Sequence, residues 1–218
     1  MLEVVANMVG FLLPLAVIAG VIAGIVVLVR RRGEPGDDPG IGTVRRLYIY
    51  GLSLAGLVTG AIGAVLLLSA LLNVLFGPAL ISRENTVLAL GLALAIVGTP
   101  VWLLFWGMAR RSVRQNAVEA GAIARKVYLY LVLGVSAIVA GAFATLFLQW
   151  VFGLGDFKGT PAAVVLVWGG VWALHWWTER SEGQLTELTA SVRRVYVYCL
   201  ALFGLMELAL GTAGVLQA

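Results

Sequence analysis

The chain has 218 residues, of which 61% are hydrophobic and 12% are charged. Soluble domains carry roughly twice this charged fraction, so the composition indicates an integral membrane protein and excludes an ordinary soluble enzyme. The formal net charge of +4 comes from basic loops between apolar runs, so we expect no nucleic-acid partner. The single cysteine, Cys199, excludes an internal disulfide.

Six apolar runs can cross a membrane, because about 20 apolar residues span the ~30 Å hydrocarbon core. In chain order, the predicted spans are approximately residues 8–29, 47–76, 87–108, 127–152, 161–178 and 195–217. The second and fourth are longer than a perpendicular crossing needs, which predicts tilt or a helical extension. The sequence therefore predicts an all-α membrane protein with six transmembrane helices.

The first predicted span is not typical of a cleaved signal peptide. Only the acidic Glu3 precedes the apolar run, whereas Arg30, Arg31 and Arg32 follow it. This order of charges favours a retained helix whose N-terminus lies outside. Residues 1–32 therefore form the first span and its basic flank. Residues 33–44, which contain glycine, proline and acidic residues, predict a flexible cytoplasmic linker.

Nearly all of the basic residues lie on one side of the predicted path. Thirteen of the 15 lie in the loops after the first, third and fifth spans, and only Arg83 and Lys158 lie on the other side. The positive-inside rule then places the three basic loops in the cytoplasm and both termini outside.

One motif of two basic residues and two tyrosines opens the second, fourth and sixth spans, and it contains all six tyrosines. In this Arg-Tyr motif, the first copy is Arg45, Arg46, Tyr48 and Tyr50, the middle copy is Arg125, Lys126, Tyr128 and Tyr130, and the third copy is Arg193, Arg194, Tyr196 and Tyr198. Such residues are enriched at membrane interfaces, so we expect them to anchor the helices at the lipid headgroups. The alternative is an anionic-lipid pocket where the three helix starts converge.

The motif belongs to a longer repeat. Residues 101–106 of the third span match residues 171–176 of the fifth, including both tryptophans. Residues 45–111 therefore form a first repeat, residues 112–180 a second, and residues 181–218 a half repeat with the sixth span. Successive units enter from the same side, which predicts parallel two-helix repeats.

The Arg-Arg-φ-Tyr-φ-Tyr helix starts, together with the Pro-Val-Trp-Leu-Leu-φ-Trp segment at residues 100–106, resemble an uncharacterised bacterial family of integral-membrane domains of unknown function. The resemblance covers roughly residues 44–217. It implies a helical domain in the bacterial cytoplasmic membrane. It implies no activity and no catalytic residues.

His175 is the only histidine. On a helix, Trp168, Trp172 and His175 fall within about 60° of one another. An imidazole among tryptophans near the interface could ligate a haem or a chlorophyll-type pigment. The alternatives are interfacial packing and a hydrogen bond at the helix end. The repeat partner of His175 is Phe105, so the position accepts an ordinary aromatic residue.

Glu207 is the only ionisable residue deep within a predicted span, about 20 Å along the helix from Arg194. An acidic side chain at that depth costs on the order of 3 kcal/mol, so a partner or protonation is expected. One hypothesis is a proton or ion site. The other is a neutral carboxyl that bonds a neighbouring helix or another subunit.

The sequence contains no phosphate-binding glycine loop, no metal-ligand spacing and no catalytic triad, so we expect no enzyme activity and no metal. Small residues four apart, as in Gly56 with Gly60 and Gly91 with Ala95, predict close helix packing. The preferred interpretation is a structural or accessory subunit of a larger membrane complex, or a self-associating unit, with lipids and membrane proteins as partners. The alternatives are a carrier of a proton, ion or small solute that uses Glu207 and a haem- or pigment-binding subunit that uses His175.

Overall fold

The structure is a computed structural model that describes residues 41–77, 85–183 and 187–217. The first predicted span and residues 33–40 of the predicted linker lie outside the described residues. The chain divides into two compact units, Met1–Arg45 and Arg46–Ala218.

Five α-helices and one 3-10 helix account for most of the described residues, and no strand occurs among them. They are α1 (Ile41–Phe76), α2 (Asn85–Gln115), a 3-10 helix (Ala117–Gly121), α3 (Ile123–Val151), α4 (Gly159–Glu182) and α5 (Glu187–Gln217). These helices include the second to sixth predicted spans, so the all-α class is confirmed for the described part of the chain.

The helices extend beyond the predicted spans at their basic ends. α1 begins at Ile41, α2 continues to Gln115 and α5 begins at Glu187. Residues 41–44, which the sequence assigns to a flexible linker, are therefore helical. An apolar run marks only the part of a helix that lipid requires. At the end of α2, backbone hydrogen bonding continues through Arg110, Arg111 and Arg114, which have good helix propensity.

Among the described residues, three helices are long and apolar enough to cross a membrane: Arg45–Phe76, Thr86–Gln115 and Ile123–Val151. They correspond to the second, third and fourth predicted spans and indicate a membrane protein. The fifth and sixth predicted spans form α4 and α5 but are not among these three. In α4, four tryptophans, one histidine and a polar C-terminal turn lower the mean hydropathy.

α1 and α2 pack backbone against backbone at small residues. A Cβ atom at Gly56 would lie 2.6 Å from the backbone nitrogen of Trp102, and one at Gly63 would lie 2.5 Å from that of Ala95. No side chain fits at these positions. Close packing of this kind drives helix association in lipid, where there is no hydrophobic force between helices.

α3 is the central helix of the second unit and packs on both α4 and α5. Its residues Leu129, Val132 and Leu133 are at most 2% exposed. One apolar cluster surrounds Tyr128 near the start of α3, and a second surrounds Trp168 of α4. The first turn of α3 therefore lies inside protein rather than at the surface.

The outward faces of α2 and α5 are apolar. On α2, Ile96, Val97 and Leu104 are each 61% exposed, and on α5, Leu205 and Leu208 are 64% and 65% exposed. Soluble monomers rarely expose contiguous apolar patches of this kind. These faces are suited to contact with lipid or with another membrane helix.

Candidate functional site

A buried polar cluster lies where the middle copy of the Arg-Tyr motif opens α3. This Arg125 cluster comprises Tyr50, Ser53, Trp106, Arg125, Tyr128, His175 and Glu182. Its members come from α1, α2, α3 and α4. No single stretch of the sequence contains the cluster, and only the packing of four helices assembles it.

Arg125 is 1% exposed and contacts partners on several sides. Its Nε donates to Oε2 of Glu182 at 2.8 Å, and its Nη2 donates to the other oxygen of the same carboxylate. Its Nη1 donates to the hydroxyl of Tyr50 at 3.3 Å, and its guanidinium carbon lies 5.2 Å from the Trp106 ring centroid. This bidentate pairing offsets much of the cost of burying both charges.

His175 is fully buried, and both of its ring nitrogens have partners. Nδ1 lies 2.8 Å from the carbonyl oxygen of Val171, which can only accept, so Nδ1 donates and Nε2 of the neutral ring accepts. The Tyr128 hydroxyl lies 3.4 Å from Nε2 and donates to it. Ser53 Oγ in turn donates to the Tyr128 oxygen at 3.1 Å. A chain of hydrogen bonds therefore runs from Ser53 through Tyr128 to His175.

Aromatic rings enclose this hydrogen-bonded chain. The Trp106 ring centroid lies 5.4 Å from that of Tyr128 and 5.2 Å from that of His175. The Tyr50 ring lies 5.4 Å from Tyr128 on another side. The imidazole is thus held between ring faces and edges, which fixes its orientation.

The second cation of the middle copy, Lys126, is also fully buried. Its Nζ lies 3.9 Å from Oε1 of Glu179 and has no hydrogen-bond partner among the described residues. The same carboxylate accepts a hydrogen bond from the Tyr130 hydroxyl at 2.7 Å. Because Glu179 and Glu182 both lie near the end of α4, two carboxylates of one helix neutralise two cations of another.

Headgroup anchoring therefore does not describe the middle copy of the motif. Arg125, Lys126, Tyr128 and Tyr130 are at most 5% exposed, so these side chains contact protein instead of lipid. These side chains are buried because α3 is the central helix, and neighbouring helices surround its first turns.

The first copy is divided between surface and interior. Arg45 is exposed, and Tyr48 is 63% exposed. Arg46 is partly buried and forms an ion pair with Glu119 of the 3-10 helix, with Nη2 and Oε1 2.6 Å apart. Tyr50 faces inward and belongs to the Arg125 cluster. The first copy therefore contributes one tyrosine to the buried site.

The third copy has the most exposed polar side chains. Arg193 and Arg194 are exposed, and Tyr198 is 69% exposed. Tyr196 is half-buried, and its ring centroid lies 5.4 Å from that of Tyr130. Chemically equivalent motifs thus occupy three different environments.

The aromatic residues predicted near His175 diverge in the structure. Trp168 packs in the second apolar cluster, whereas Trp172 stacks on Trp176 with centroids 5.7 Å apart. A metal could bind Nε2 of His175 only after the contact with Tyr128 broke. Within the described ranges, no three His, Cys, Asp or Glu side chains are grouped to hold a metal ion.

Glu207 is half-buried on the face of α5 that packs against α3. On that face, a Cβ at Gly141 would lie 2.8 Å from the Phe203 ring, and one at Gly134 would lie 3.7 Å from the Tyr196 ring. Glu207 lies one helical turn beyond Phe203. In the described part of the chain it has no hydrogen-bond or ion-pair partner.

The acidic half of the buried network was not predicted from the sequence. Glu119, Glu179 and Glu182 all stand in or beside the loops that the excess of basic residues marks as cytoplasmic. The positive-inside rule counts only Lys and Arg, so it passes over the carboxylates beside them. The position of these carboxylates beside apolar runs was the sequence signal that could have identified them as partners of the basic residues.

Comparison with known proteins gives one family match. The family described as "Domain of unknown function (DUF5671)" matches residues 46–170, more than half of the chain. No curated protein matches, and no solved structure matches. The expected resemblance to an uncharacterised domain family is confirmed, over a shorter range than residues 44–217. The match includes the middle copy of the motif but not His175 or Glu182. The chain belongs to the DUF5671 family of domains of unknown function.

Proposed function

We propose that this chain is a non-catalytic integral membrane protein with six transmembrane helices, arranged as parallel two-helix repeats in the bacterial cytoplasmic membrane. Its proposed role is that of a structural or accessory subunit, which packs against a larger membrane complex or against further copies of itself. The basic loops face the cytoplasm and both termini lie outside, as the distribution of Lys and Arg favours.

The observation that carries this proposal is that the polar groups of the Arg125 cluster form hydrogen bonds and ion pairs with one another. Arg125 is engaged by Glu182 and Tyr50, and His175 is engaged at both nitrogens. A catalytic acid or base must lie within hydrogen-bond reach of a substrate, whereas these groups bond one another. A satisfied buried network instead specifies one arrangement of helices, which suits a structural unit.

The apolar outward faces of α2 and α5 support the assembly part of the proposal. Their exposed leucine, isoleucine and valine side chains offer packing surface along the helices. Membrane helices associate through van der Waals packing and interhelical hydrogen bonds. A partner helix can therefore replace lipid on these faces.

Purification from a bacterial membrane tests the proposed assembly. We expect the tagged full chain, extracted in gentle detergent and transferred to lipid nanodiscs, to have a protein mass above the 23.1 kDa of one chain. The excess should equal further copies or a second protein in constant ratio. A protein mass of one chain at every concentration, with no co-purifying protein, would contradict the proposal. Nanodiscs without protein are the control.

A second candidate function is transport of a proton, an ion or a small solute. The carboxyl of Glu207, which has no hydrogen-bond or ion-pair partner among the described residues, favours it. Intramembrane carboxyl groups commonly mark ion pathways. Flux into liposomes that is lost in Glu207→Gln, but kept in a Glu119→Gln control, would support a carrier and argue against a purely structural role. Absence of Glu207-dependent flux for protons and common cations would argue against the carrier.

Ligation of a haem or chlorophyll-type pigment by His175 stays a prediction. Its test is the visible spectrum of the protein purified from a pigment-producing bacterium. A Soret or red absorption band that disappears in His175→Phe would support ligation, and a spectrum without such bands would contradict it.

A further inference from the structure

The third copy of the Arg-Tyr motif lines an open groove on α5. The groove has a volume of about 420 Å³ and is lined by Ala190, Arg193, Arg194, Val197 and Tyr198. These residues follow the i, i+3, i+4, i+7, i+8 spacing of a single helix face. The side chains of Arg193, Arg194 and Tyr198 therefore lie along one surface depression.

The charges of this groove differ from those of the other two copies. Arg125 and Lys126 of the middle copy are neutralised by carboxylates of α4, and Arg46 of the first copy pairs with Glu119. Arg193 and Arg194 form no ion pair with a carboxylate of the described residues, and Arg194 donates only to the Ser191 hydroxyl at 3.3 Å. Among the described residues, the third copy is the one in which neither basic side chain has a carboxylate partner, which suits it to bind an external anion.

An apolar surface continues from the groove along the same helix face. At 100° per residue, Leu205 and Leu208 lie on the face that contains Arg194 and Val197, and both leucines are more than 60% exposed. The distance from Arg194 to Leu205 is about 16 Å at 1.5 Å per residue, close to half of the ~30 Å hydrocarbon core. A ligand with an anionic head and an acyl chain one leaflet long matches both parts of this surface.

We propose that the groove of Arg193, Arg194 and Tyr198 is a binding site for the phosphate group of an anionic phospholipid, whose acyl chain lies along Val197, Leu205 and Leu208. Arginine side chains donate bidentate hydrogen bonds to phosphate oxygens, and the tyrosine hydroxyl supplies a further donor. The inference rests on the membrane location proposed above. A lipid on this face of α5 leaves the apolar face of α2 for a partner helix.

Lipid titration of the full chain tests the site. We expect short-chain phosphatidylglycerol to bind the purified protein in neutral detergent, as measured by native mass spectrometry. The double variant Arg193→Gln with Arg194→Gln should weaken this binding about tenfold or more, from two lost charges at the membrane surface. Replacing both arginines with lysine should recover part of the loss, because charge remains but the planar fork does not.

A matched control separates a site from general surface charge. Arg110 and Arg111, at the end of α2, are also exposed and basic, so Arg110→Gln with Arg111→Gln removes the same charge without touching the groove. Tyr198→Phe is compared with Tyr48→Phe in the same way, since both hydroxyls are exposed. Equal losses in the groove and control variants would overturn the proposal.

Two further measurements identify the source of the phosphate. Phosphatidylcholine of the same chain length should bind more weakly, and inorganic phosphate should not compete at concentrations where the lipid saturates. Competition by phosphate alone at equal concentration would overturn the lipid assignment. Release of the protein from membranes by alkaline carbonate would refute the membrane location itself, which is a separate result from loss of lipid selectivity in a protein that stays in the membrane.

Discussion

Arg125 is the residue on which the buried network depends most. Its guanidinium donates to both oxygens of Glu182 and to Tyr50, and it lies over Trp106. A buried ion pair of this kind contributes little compared with an apolar pair of the same shape, yet removal of one partner leaves an uncompensated charge. The expected effects of substitution are therefore strongly non-additive.

We expect Glu182→Leu to destabilise the protein by about 3–5 kcal/mol, because the charge of Arg125 would remain buried without a carboxylate. The double variant Arg125→Met with Glu182→Leu should be much closer to wild type. Thermal unfolding in detergent, followed by tryptophan fluorescence, measures both.

The control for the Glu182 and Arg125 variants is Glu119→Leu. The Arg46–Glu119 pair is partly exposed, at 20% and 17% of the side-chain surfaces, and such pairs contribute about 0–1 kcal/mol. Two results would show that the buried pair is not coupled as the distances indicate. One is a loss of stability in Glu182→Leu no larger than in this control. The other is a loss in the double variant equal to the sum of the losses in Arg125→Met and Glu182→Leu.

Ser53 offers a finer test of the hydrogen-bond chain. Ser53→Ala should cost about 1 kcal/mol, because Tyr128 loses the hydroxyl that donates to it. Ser136 is equally buried but bonds the Val132 carbonyl of its own helix at 2.6 Å, so Ser136→Ala should be nearly neutral. Equal melting temperatures for the two variants would contradict a specific role for the chain.

At the scale of the helices, contact between α1 and α2 depends on the absence of side chains. Gly56 and Gly63 meet backbone atoms of α2 directly. The small-residue spacing in the sequence predicts this kind of approach, and the structure supplies the partner helix and the register. A methyl group at the contact has no space unless the helices separate.

Gly56→Ala should therefore destabilise the protein by about 1–3 kcal/mol, the usual cost of overpacking. Gly51→Ala, in the same helix, is the matched control. It has nothing within 4 Å of the added carbon and should be neutral or stabilising by up to about 1 kcal/mol, from helix propensity. Thermal unfolding in the same detergent measures both, and similar losses in the two variants would argue against a close helix contact.

At the scale of the whole molecule, the ends of α3 mark opposite sides of the proposed membrane domain. Arg111, near the end of α2, and Asp156, in the loop before α4, are both exposed. The positive-inside rule places the loop of Arg111 in the cytoplasm. The two positions should therefore differ in their access to reagents outside the cell.

In a Cys199→Ala background, Asp156→Cys should react with a membrane-impermeant maleimide in intact cells. Arg111→Cys should react only after the membrane is opened. The background without an introduced cysteine should not react in either condition. Labelling of both cysteines from the same side would contradict the proposed topology.

How far the sequence predicts the fold depends on the property concerned. The second to sixth predicted spans are helical because long apolar runs need internally satisfied backbone groups. The helix ends were less predictable, as at Gln115 and Glu187, because polar residues continue a helix without an apolar signal. Of the site, the sequence identified Arg125, Tyr128, Tyr50 and His175 individually. It did not indicate that they contact one another.

The sequence by itself determined that the chain is helical and apolar, that its charges lie in short segments between apolar runs, and that one motif occurs three times. These are properties of composition and spacing, which depend only on local chemistry. The tertiary structure alone decided that the middle copy is buried against Glu179 and Glu182, whereas the third copy remains exposed. The physical reason is that burial depends on which helices surround a motif. The neighbours of the central helix α3 enclose the middle copy, although all three copies share the same pattern of basic residues and tyrosines.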